Sequence, residues 1–361
     1  MLEKIWKNIL RRRAFSLLAI PAFFLWLASL LYRLGFFLVK KFTRTRVRVD
    51  VPVVCIGNIT VGGTGKTPMV AQLARYLIED GQRVGIVSSG YGRPSAQAIL
   101  APGYKMQGMG VDATGDEVKY LASLLPEAVF AVDSVKSEAV KKIAASKLVD
   151  LVIVDDGFQH FSLARDLDIV TYDAGIHKKF LKPFPLGVLR EPLTALKRAD
   201  VIVITRAKFA KDLQRLKQRL MRFGKDAQHY HAQFTATELI GREQTLPVKY
   251  LEDKSVFLFA GVGNFRSLER QVSALCADLD CAVELSDHQV YDDRLLTHIK
   301  TMADQHDSDL ILTTGKDWVK VEAFDFDREI YYLNQTVDLD PGEEKLTAFL
   351  RQKLGLERQA R

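Results

Sequence analysis

Short apolar runs alternate with stretches of helical periodicity through most of this 361-residue chain. The apolar runs are bounded by glycine and polar residues, and in the stretches between them apolar residues recur every three or four positions. This alternation predicts an α/β protein whose parallel sheet carries helices on both faces. The predicted strands are residues 51–56, 83–89, 129–132, 148–156, 201–206, 255–260, 310–314 and 329–333, and the predicted helices are 69–78, 117–125, 137–145, 208–225 and 265–277.

The first fifty residues follow a different pattern. Residues 14–32 are uncharged and rich in Leu, Phe and Ala, with three arginines before them and Arg33 after them. Nineteen such residues are just enough to cross a bilayer. The segment lacks the small-residue cleavage site of a signal peptide, and basic residues on both sides give it no preferred orientation. The sequence favours membrane attachment over a buried core helix, and leaves open whether the segment spans the bilayer or dips into one leaflet.

Charge separates this segment from the rest of the chain. The 51 Lys and Arg against 44 Asp and Glu give a net charge of +7. Residues 1–50 hold eleven of the basic and two of the acidic side chains, a balance of +9, which leaves 40 basic and 42 acidic side chains in residues 51–361. The basic excess therefore belongs to the apolar leader. We expect no nucleic-acid partner, and the sequence identifies no protein partner.

A glycine-rich loop follows the first predicted strand. Residues 57–68 read Gly-Asn-Ile-Thr-Val-Gly-Gly-Thr-Gly-Lys-Thr-Pro, a phosphate loop whose usual first glycine is replaced by Thr60. In such a loop, backbone N–H groups bind phosphate oxygens, Lys66 reaches the β- and γ-phosphates of ATP, and the Thr67 hydroxyl binds Mg²⁺. The alternative, a glycine-rich turn with a chance lysine, does not account for the flanking strand and helix. The predicted ATP-binding residues are Gly62, Gly63, Thr64, Gly65, Lys66 and Thr67.

A second apolar strand delivers two acidic residues to its carboxyl end. Residues 151–154 are aliphatic, and Asp155 and Asp156 follow them. Two adjacent acids are by themselves more typical of a solvated turn, but beside a phosphate loop they predict a Mg²⁺ site together with Thr67.

These motifs resemble those of the tetraacyldisaccharide 4'-kinases, the lipid A 4'-kinases of Gram-negative bacteria. The most specific is Asp-Asp-Gly-Phe-Gln-His at 155–160, combined with Asp-His at 287–288. The resemblance also includes residues 57–58, 65–68, 90–93, 115–117 and 189–192. It implies transfer of the γ-phosphoryl group of ATP to the 4'-hydroxyl of a tetraacylated glucosamine disaccharide 1-phosphate. It places that lipid substrate, and a peripheral or monotopic enzyme, at the cytoplasmic face of the inner membrane.

The resemblance also implies roles for individual side chains. It makes Asp116 the catalytic base, although Gly-Asp-Glu before an apolar run equally fits a helix start. His288, beside Asp287, would orient Asp116 or tune its charge, although a lone histidine is more often structural. Arg190 and Glu191 would contact phosphate and substrate or position the base, or else form a surface ion pair. Residues expected near the nucleotide or the metal-bearing strand end are Tyr91, Gln159 and His160.

The predicted organisation is a membrane anchor over 1–48, a P-loop kinase core over 49–225 and a smaller α/β domain over 226–361 that closes over the active site. The competing hypothesis is a membrane-recruited switch or partition-type ATPase. Many such ATPases carry a lysine where this chain has Val61. A GTPase switch needs Asn-Lys-x-Asp, whereas residues 314–317 read Thr-Gly-Lys-Asp and resemble the kinase family's Thr-Glu-Lys-Asp. An adaptor that only retains the fold would not need Lys66, Thr67 and the two aspartates.

Overall fold

The computed structural model describes Trp6, Ile9 and residues 19–43, 45–210 and 212–357. The strands are β1 (Val53–Asn58), β2 (Val84–Ser88), β3 (Ile99–Pro102), β4 (Val129–Val132), β5 (Leu151–Asp155), β6 (Leu167–Asp173), β7 (Val201–Thr205), β8 (Gln228–Ile240), β9 (Thr245–Pro247), β10 (Ser255–Ala260), β11 (Asp278–Glu284), β12 (Leu310–Thr314) and β13 (Ile330–Asp340). The α-helices are Ala19–Phe42, Lys66–Glu79, Gly103–Gln107, Val111–Thr114, Asp116–Leu124, Lys136–Ala145, Leu213–Phe223, Phe265–Ser273, Asp293–His306, Gly315–Val321 and Glu343–Leu354.

The predicted α/β class is confirmed. Each predicted strand and helix is present, with ends that differ by a few residues. The elements that the pattern did not predict include β6, β8, β11 and the helices Asp293–His306 and Glu343–Leu354. The sheet is also not purely parallel, because β3 pairs antiparallel with β4 and β9 antiparallel with β8.

The chain divides into two compact units, each made of separate stretches of sequence. The first contains residues 1–66, 154–233 and 339–356, and the second contains 67–153, 234–338 and 357–361. The domain boundaries predicted after residues 48 and 225 stay predictions.

In the first unit, buried parallel strands lie side by side. β1 pairs with β6, β6 pairs with β7, and β7 pairs with residues 228–232 of β8. All positions of β1, β6 and β7 are buried, which explains the apolar runs of β1 and β7, whereas β6 also buries polar side chains such as Asp168 and Thr171. Their side chains pack with Phe158 and with residues of the 3-10 helix Leu193–Arg198.

The second unit shows helices on both faces of a parallel sheet. β10 lies between β11 and β12, and β12 pairs with β13. Successive residues of β10 point to opposite faces. Val256 and Leu258 belong to a core that includes helix Phe265–Ser273, whereas Phe257 and Phe259 belong to one that includes helix Asp293–His306.

The N-terminal helix Ala19–Phe42 belongs to the first unit. Residues 14–18 of the predicted apolar segment, and the arginines before it, lie outside the described residues. Ser29 Oγ lies 3.2 Å from the Pro183 carbonyl and accepts from Leu186 N–H at 2.9 Å, so the loop at 183–186 packs against this helix. Only Ala22 and Ser29 are buried among its described residues, so the alternative of a buried core helix was wrong.

Gly57, at the end of β1, is fixed by a close approach of two backbones. A Cβ atom placed on it would lie 2.6 Å from Phe158 Cβ and 3.0 Å from Phe158 N. Backbone and Cβ atoms cannot move aside as a flexible side-chain end can, so β1 and the segment after β5 would have to separate.

We therefore expect Gly57→Ala to lower the free energy of unfolding by about 1–3 kcal/mol, the usual cost of overpacking a core. Denaturant titration or thermal unfolding measures this change. Gly110→Ala is the matched control, because nothing lies within 4 Å of its added Cβ. Equal stability of the two variants would contradict the close-approach argument.

Candidate active site

The phosphate loop joins β1 to helix Lys66–Glu79, as predicted. Gly62 and Gly65 have φ angles of 96° and 82°, which side chains with a Cβ rarely adopt. The first turn of the helix contains no acidic residue, so the partial positive charge at its N-terminus is not neutralised locally. The loop therefore has the backbone and the charge that phosphate binding requires.

Buried polar side chains hold this loop in the first unit. Asn58 Nδ2 donates to Thr64 Oγ1 at 3.0 Å, and Thr64 Oγ1 lies 2.7 Å from Thr171 Oγ1. The Thr205 hydroxyl donates to the Thr64 carbonyl at 3.0 Å. The Thr64 side chain and carbonyl thus hold the loop in place.

Asp155 is the last residue of β5 and Asp156 follows it, so both lie at the carboxyl end of the strand, as the sequence predicted. Asp155 is buried, and Asp156 is partly exposed with a φ angle of 49°. Lys66 Nζ lies 3.6 Å from Asp156 Oδ1, and Arg190 Nη1 donates to Asp156 Oδ2 at 2.9 Å. The structure therefore brings Lys66, Asp156 and Arg190 together.

The segment 188–190 lies directly beside the loop. Val61 N–H donates to the Val188 carbonyl at 2.7 Å, and Arg190 N–H donates to the Ile59 carbonyl at 2.9 Å. These backbone contacts explain why Arg190 reaches Asp156, although 34 residues separate the two in sequence.

The carboxylates of Asp155 and Asp156 fit a Mg²⁺ ion that binds together with a nucleotide. Among the described residues, no group of three or more His, Cys, Asp or Glu side chains could hold a metal alone. Mg²⁺ usually takes one or two carboxylates and completes its shell with phosphate oxygens and water. Asp155 and Asp156 are the oxygen groups that the end of β5 provides, whereas Thr67 belongs to the second unit and its part in the metal site stays a prediction.

Glu191 is buried, which contradicts the surface ion pair considered for it, and its expected contact with phosphate, substrate or the base stays a prediction. It is 2% exposed, and both its carboxylate oxygens accept from Arg198, at 2.8 and 2.9 Å. Gln159 Nε2 donates to Glu191 Oε1 at 2.9 Å and to the Asn58 carbonyl at 2.8 Å. Glu191 is therefore a buried group that fixes Gln159 beside β1, and its surface-pair interpretation was wrong. His160, next in the motif, is partly exposed, and its carbonyl accepts from Arg165.

The second unit contains the other predicted group. Asp116 is the first residue of helix Asp116–Leu124, and Gly115 precedes it with a φ angle of 86°. Its carboxylate is buried: Oδ1 accepts from Glu117 N–H at 2.8 Å, and Oδ2 lies 2.8 Å from Lys320 Nζ. Asp116 therefore both begins a helix and takes part in a charged cluster.

His288 contacts Asp116 directly. Its Nδ1 lies 3.1 Å from Asp116 Oδ2, and its Nε2 lies 3.2 Å from Lys316 Nζ. The same lysine contacts Asp287 Oδ1 at 3.2 Å. Tyr91 is exposed and packs against the His288 ring, with 4.9 Å between ring centroids.

The charges of this cluster favour the ionised forms of its members. Burial would raise the pKa of Asp116, but the hydrogen bond from His288 and the charges of Lys316 and Lys320 hold its pKa well below the usual range. The hydrogen bond to Asp116 raises the pKa of His288, against the opposing effects of burial and Lys316. The carboxylate of Asp116 is therefore ionised at neutral pH.

Sequence reasoning missed several side chains that these groups depend on. Lys316 and Lys320 contact His288 and Asp116, and Arg198 pairs with Glu191. Arg206 donates to the Gly63 carbonyl at 2.5 Å and pairs with Asp173 at 3.0 Å. The family-like motif at 314–317 was a signal for Lys316, whereas the other three lie in no motif that the sequence analysis used.

A profile of the family described as tetraacyldisaccharide-1-P 4'-kinase matches residues 21–355. A protein of Ruthia magnifica named tetraacyldisaccharide 4'-kinase is 35% identical over 343 residues, covering 93% of this chain and 97% of that protein. One of the same name from Desulfotalea psychrophila is 32% identical over 335 residues, covering 90% and 92%. The "apo" form of LpxK from Aquifex aeolicus, crystallised in complex with ATP, has a TM-score of 0.71 and 26% identity, covering 90% of this chain and 97% of that one.

The contact between His288 and Asp116 predicts a titration shift. In Asp116→Asn the negative charge that favours the imidazolium is lost, so we expect the pKa of His288 to fall, as measured by NMR titration of the imidazole. Lys316, which opposes protonation of His288, remains in place. His231, which lies 3.4 Å from Asp340, is an internal control whose titration should not move. An unchanged pKa of His288 would argue against the contact.

Proposed function

The chain belongs to the tetraacyldisaccharide 4'-kinase family, and we propose that it phosphorylates the 4'-hydroxyl of the acylated disaccharide 1-phosphate with Asp116 as the base that accepts the hydroxyl proton. The observation that carries this assignment is the buried carboxylate of Asp116, which is ionised and contacts His288 at 3.1 Å. A carboxylate held in this way can orient a sugar hydroxyl.

The proposed reaction balances without another reactant. The 4'-oxygen forms a bond to the γ-phosphorus of ATP as the bond between that phosphorus and the bridging oxygen breaks. ADP leaves, and the hydroxyl proton passes to Asp116. A carboxylate with a low pKa is a weak base, which suits a loose transition state in which the proton is transferred late. His288 and Lys320 keep the carboxylate ionised until then.

The first unit supplies the groups for Mg·ATP in this proposal. The loop N–H groups from Gly62 to Lys66 bind phosphate oxygens, and the Lys66 ammonium neutralises charge on the β- and γ-phosphates. Bound Mg²⁺ would polarise the phosphates and offset their charge. Asp155 and Asp156 would hold it, and Arg190, which now contacts Asp156, offers a guanidinium to an anion.

A GTPase switch has no support at residues 314–317. Asp317 is fully buried, and its Oδ2 accepts from Gly261 N–H at 3.0 Å and from the Thr314 hydroxyl at 2.7 Å. An aspartate engaged in this way cannot read a guanine base.

The assay for Asp116 is phosphoryl transfer from labelled Mg·ATP to the acylated disaccharide 1-phosphate in detergent. We expect Asp116→Ala to lower kcat by about 10²–10⁴-fold, the usual contribution of a general base, with little change in the KM for ATP. Asp112→Asn, at an exposed acid four residues away, is the control. Near-normal turnover of Asp116→Ala would remove it as the base. If the wild-type enzyme consumes ATP and leaves the lipid unmodified, the kinase assignment fails.

We also propose that helix Ala19–Phe42 attaches the enzyme to the cytoplasmic face of the inner membrane. The helix is long and apolar enough to cross a bilayer, and it ends with Lys40 and Lys41. The loop at 183–186 covers one side, whereas large apolar side chains spaced along another side are exposed. Those that recur every three or four residues, and so form a stripe along the helix, are Ile20, Phe24, Leu27, Leu31, Leu34 and Leu38; the other exposed apolar side chains are Phe23, Trp26, Leu30, Phe37, Val39 and Phe42. An apolar stripe beside basic residues is typical of attachment to an anionic membrane surface.

Insertion of the stripe predicts that high-salt washing leaves the wild-type protein in the membrane pellet, because salt screens charges and does not weaken apolar burial. The double variant Phe24→Asp, Leu31→Asp should shift to the supernatant. Met221→Asp, at an exposed apolar position of helix Leu213–Phe223, is the control and should stay bound. Release of the wild-type protein by salt alone would show that the attachment is electrostatic.

A further inference from the structure

Helix Gly315–Val321 carries two lysines beside the proposed base, of which only Lys320 has so far been given a role, through its charge. Lys316 and Lys320 are four residues apart, so their side chains project from the same face of the helix. One contacts His288 and the other contacts Asp116. A single short element therefore contacts both members of the Asp116–His288 pair.

Lys320 completes the set of donors around Asp116. Its side chain is 9% exposed, and its Nζ lies 2.8 Å from Asp116 Oδ2. It also donates to the Gln289 carbonyl at 3.2 Å and lies 5.6 Å from the Tyr291 ring centroid. With Glu117 N–H on Oδ1, these contacts give the carboxylate one orientation.

Lys316 determines which ring nitrogen of neutral His288 carries the proton. An ammonium group only donates hydrogen bonds, so the Nε2 atom 3.2 Å from Lys316 Nζ must present a lone pair. The neutral ring then carries its proton on Nδ1, which faces Asp116 at 3.1 Å. Asp287 and Glu117 also contact Lys316, at 3.2 and 3.3 Å, and hold its ammonium in place.

The helix that carries the lysines is itself fixed. Asp317 lies between them and is fully buried. It accepts from Gly261 N–H and the Thr314 hydroxyl, and its Oδ1 accepts from the Tyr291 hydroxyl at 3.0 Å. Both lysines therefore project from a rigid support.

We propose that Lys316 and Lys320 are positioning residues for phosphoryl transfer. Lys320 orients the Asp116 carboxylate, and Lys316 fixes His288 in the tautomer that donates to it. The inference rests on the proposed role of Asp116 as the base. It predicts that loss of either lysine lowers kcat while ATP binding, which uses the phosphate loop, is unchanged.

The proposal also predicts a pH effect. The charged and titratable groups that face His288 and its partners are Asp116, Glu117, Asp287, Lys316, Lys320, Asp317, Tyr91 and Tyr291. Lys316 opposes protonation of His288, so its removal makes the imidazolium easier to form. The pKa of His288 measured by NMR titration should therefore rise in Lys316→Met, whereas removal of a lysine that does not contact the imidazole should leave it unchanged.

The test compares Lys316→Met and Lys320→Met with Lys119→Met. Lys119 forms an ion pair at 2.9 Å with Glu322 in the same unit, so its loss controls for the removal of a partly buried pair. We expect the first two variants to lose about 10- to 100-fold in kcat, with the KM for ATP within about twofold of wild type. Lys119→Met should keep the wild-type kcat and the wild-type pKa of His288. Lys320→Arg should recover part of the loss, because it retains a charged donor.

A measurement on the wild-type protein keeps the test independent of variant folding. The ¹⁵N shifts of the neutral His288 ring should report a proton on Nδ1, and a proton on Nε2 would overturn the proposal. Unchanged kcat in both lysine variants would also overturn it. If Asp116→Ala is inactive while the lysine variants are normal, only this inference fails. If Asp116→Ala is active, the proposed base itself is wrong.

Discussion

An ionised carboxylate can be buried only where hydrogen-bond donors replace the water that it loses. The cost of taking such an ion out of water is several kcal/mol, and removal of one partner from a buried ion pair costs about 3–5 kcal/mol. Asp116 is 5% exposed, and its donors come from three stretches of chain: Glu117 N–H, His288 and Lys320. Movement of any one of the three stretches would therefore take a donor away from a buried charge.

The phosphate loop of the first unit has the opposite requirement, because its donors must stay free for a ligand. A phosphate loop must keep its N–H groups available for a ligand, so the other polar groups of the loop must be satisfied from within the protein. Thr64 illustrates this, since its hydroxyl contacts Asn58 and Thr171 and its carbonyl accepts from Thr205. These contacts within the protein hold the loop in place without a bound nucleotide. Such preorganisation lowers the cost of binding, because the loop is ordered before the ligand arrives.

The parts of the fold that the sequence predicted are those with local signals. Strands such as β10 and β12 are apolar runs, and the phosphate loop and the pair Asp155, Asp156 are contiguous motifs. The burial of Glu191 could not be foreseen in this way, because it depends on contacts with Gln159, which is earlier in the chain, and with Arg198, which is later. Lys320 was missed for the same reason, since its partner Asp116 is 204 positions earlier in the chain. Tertiary contacts determine which side chains pair with a buried charge, and a single sequence contains little signal for such contacts.

Gly315 shows how a departure from a family motif can be part of the same network. It stands where the resembling family has glutamate, and a Cβ atom there would lie 2.0 Å from Tyr120 Cε2. Tyr120 belongs to the helix that Asp116 begins, and its ring also packs edge-on to Tyr332 with 6.0 Å between centroids. With no side chain at 315, this ring can lie directly on the start of helix Gly315–Val321. The approach of the two helices is what allows Lys320 to reach Asp116. A larger residue at 315 would displace Tyr120 or separate the helices, so in this chain the missing glutamate and the buried ion pair are physically linked.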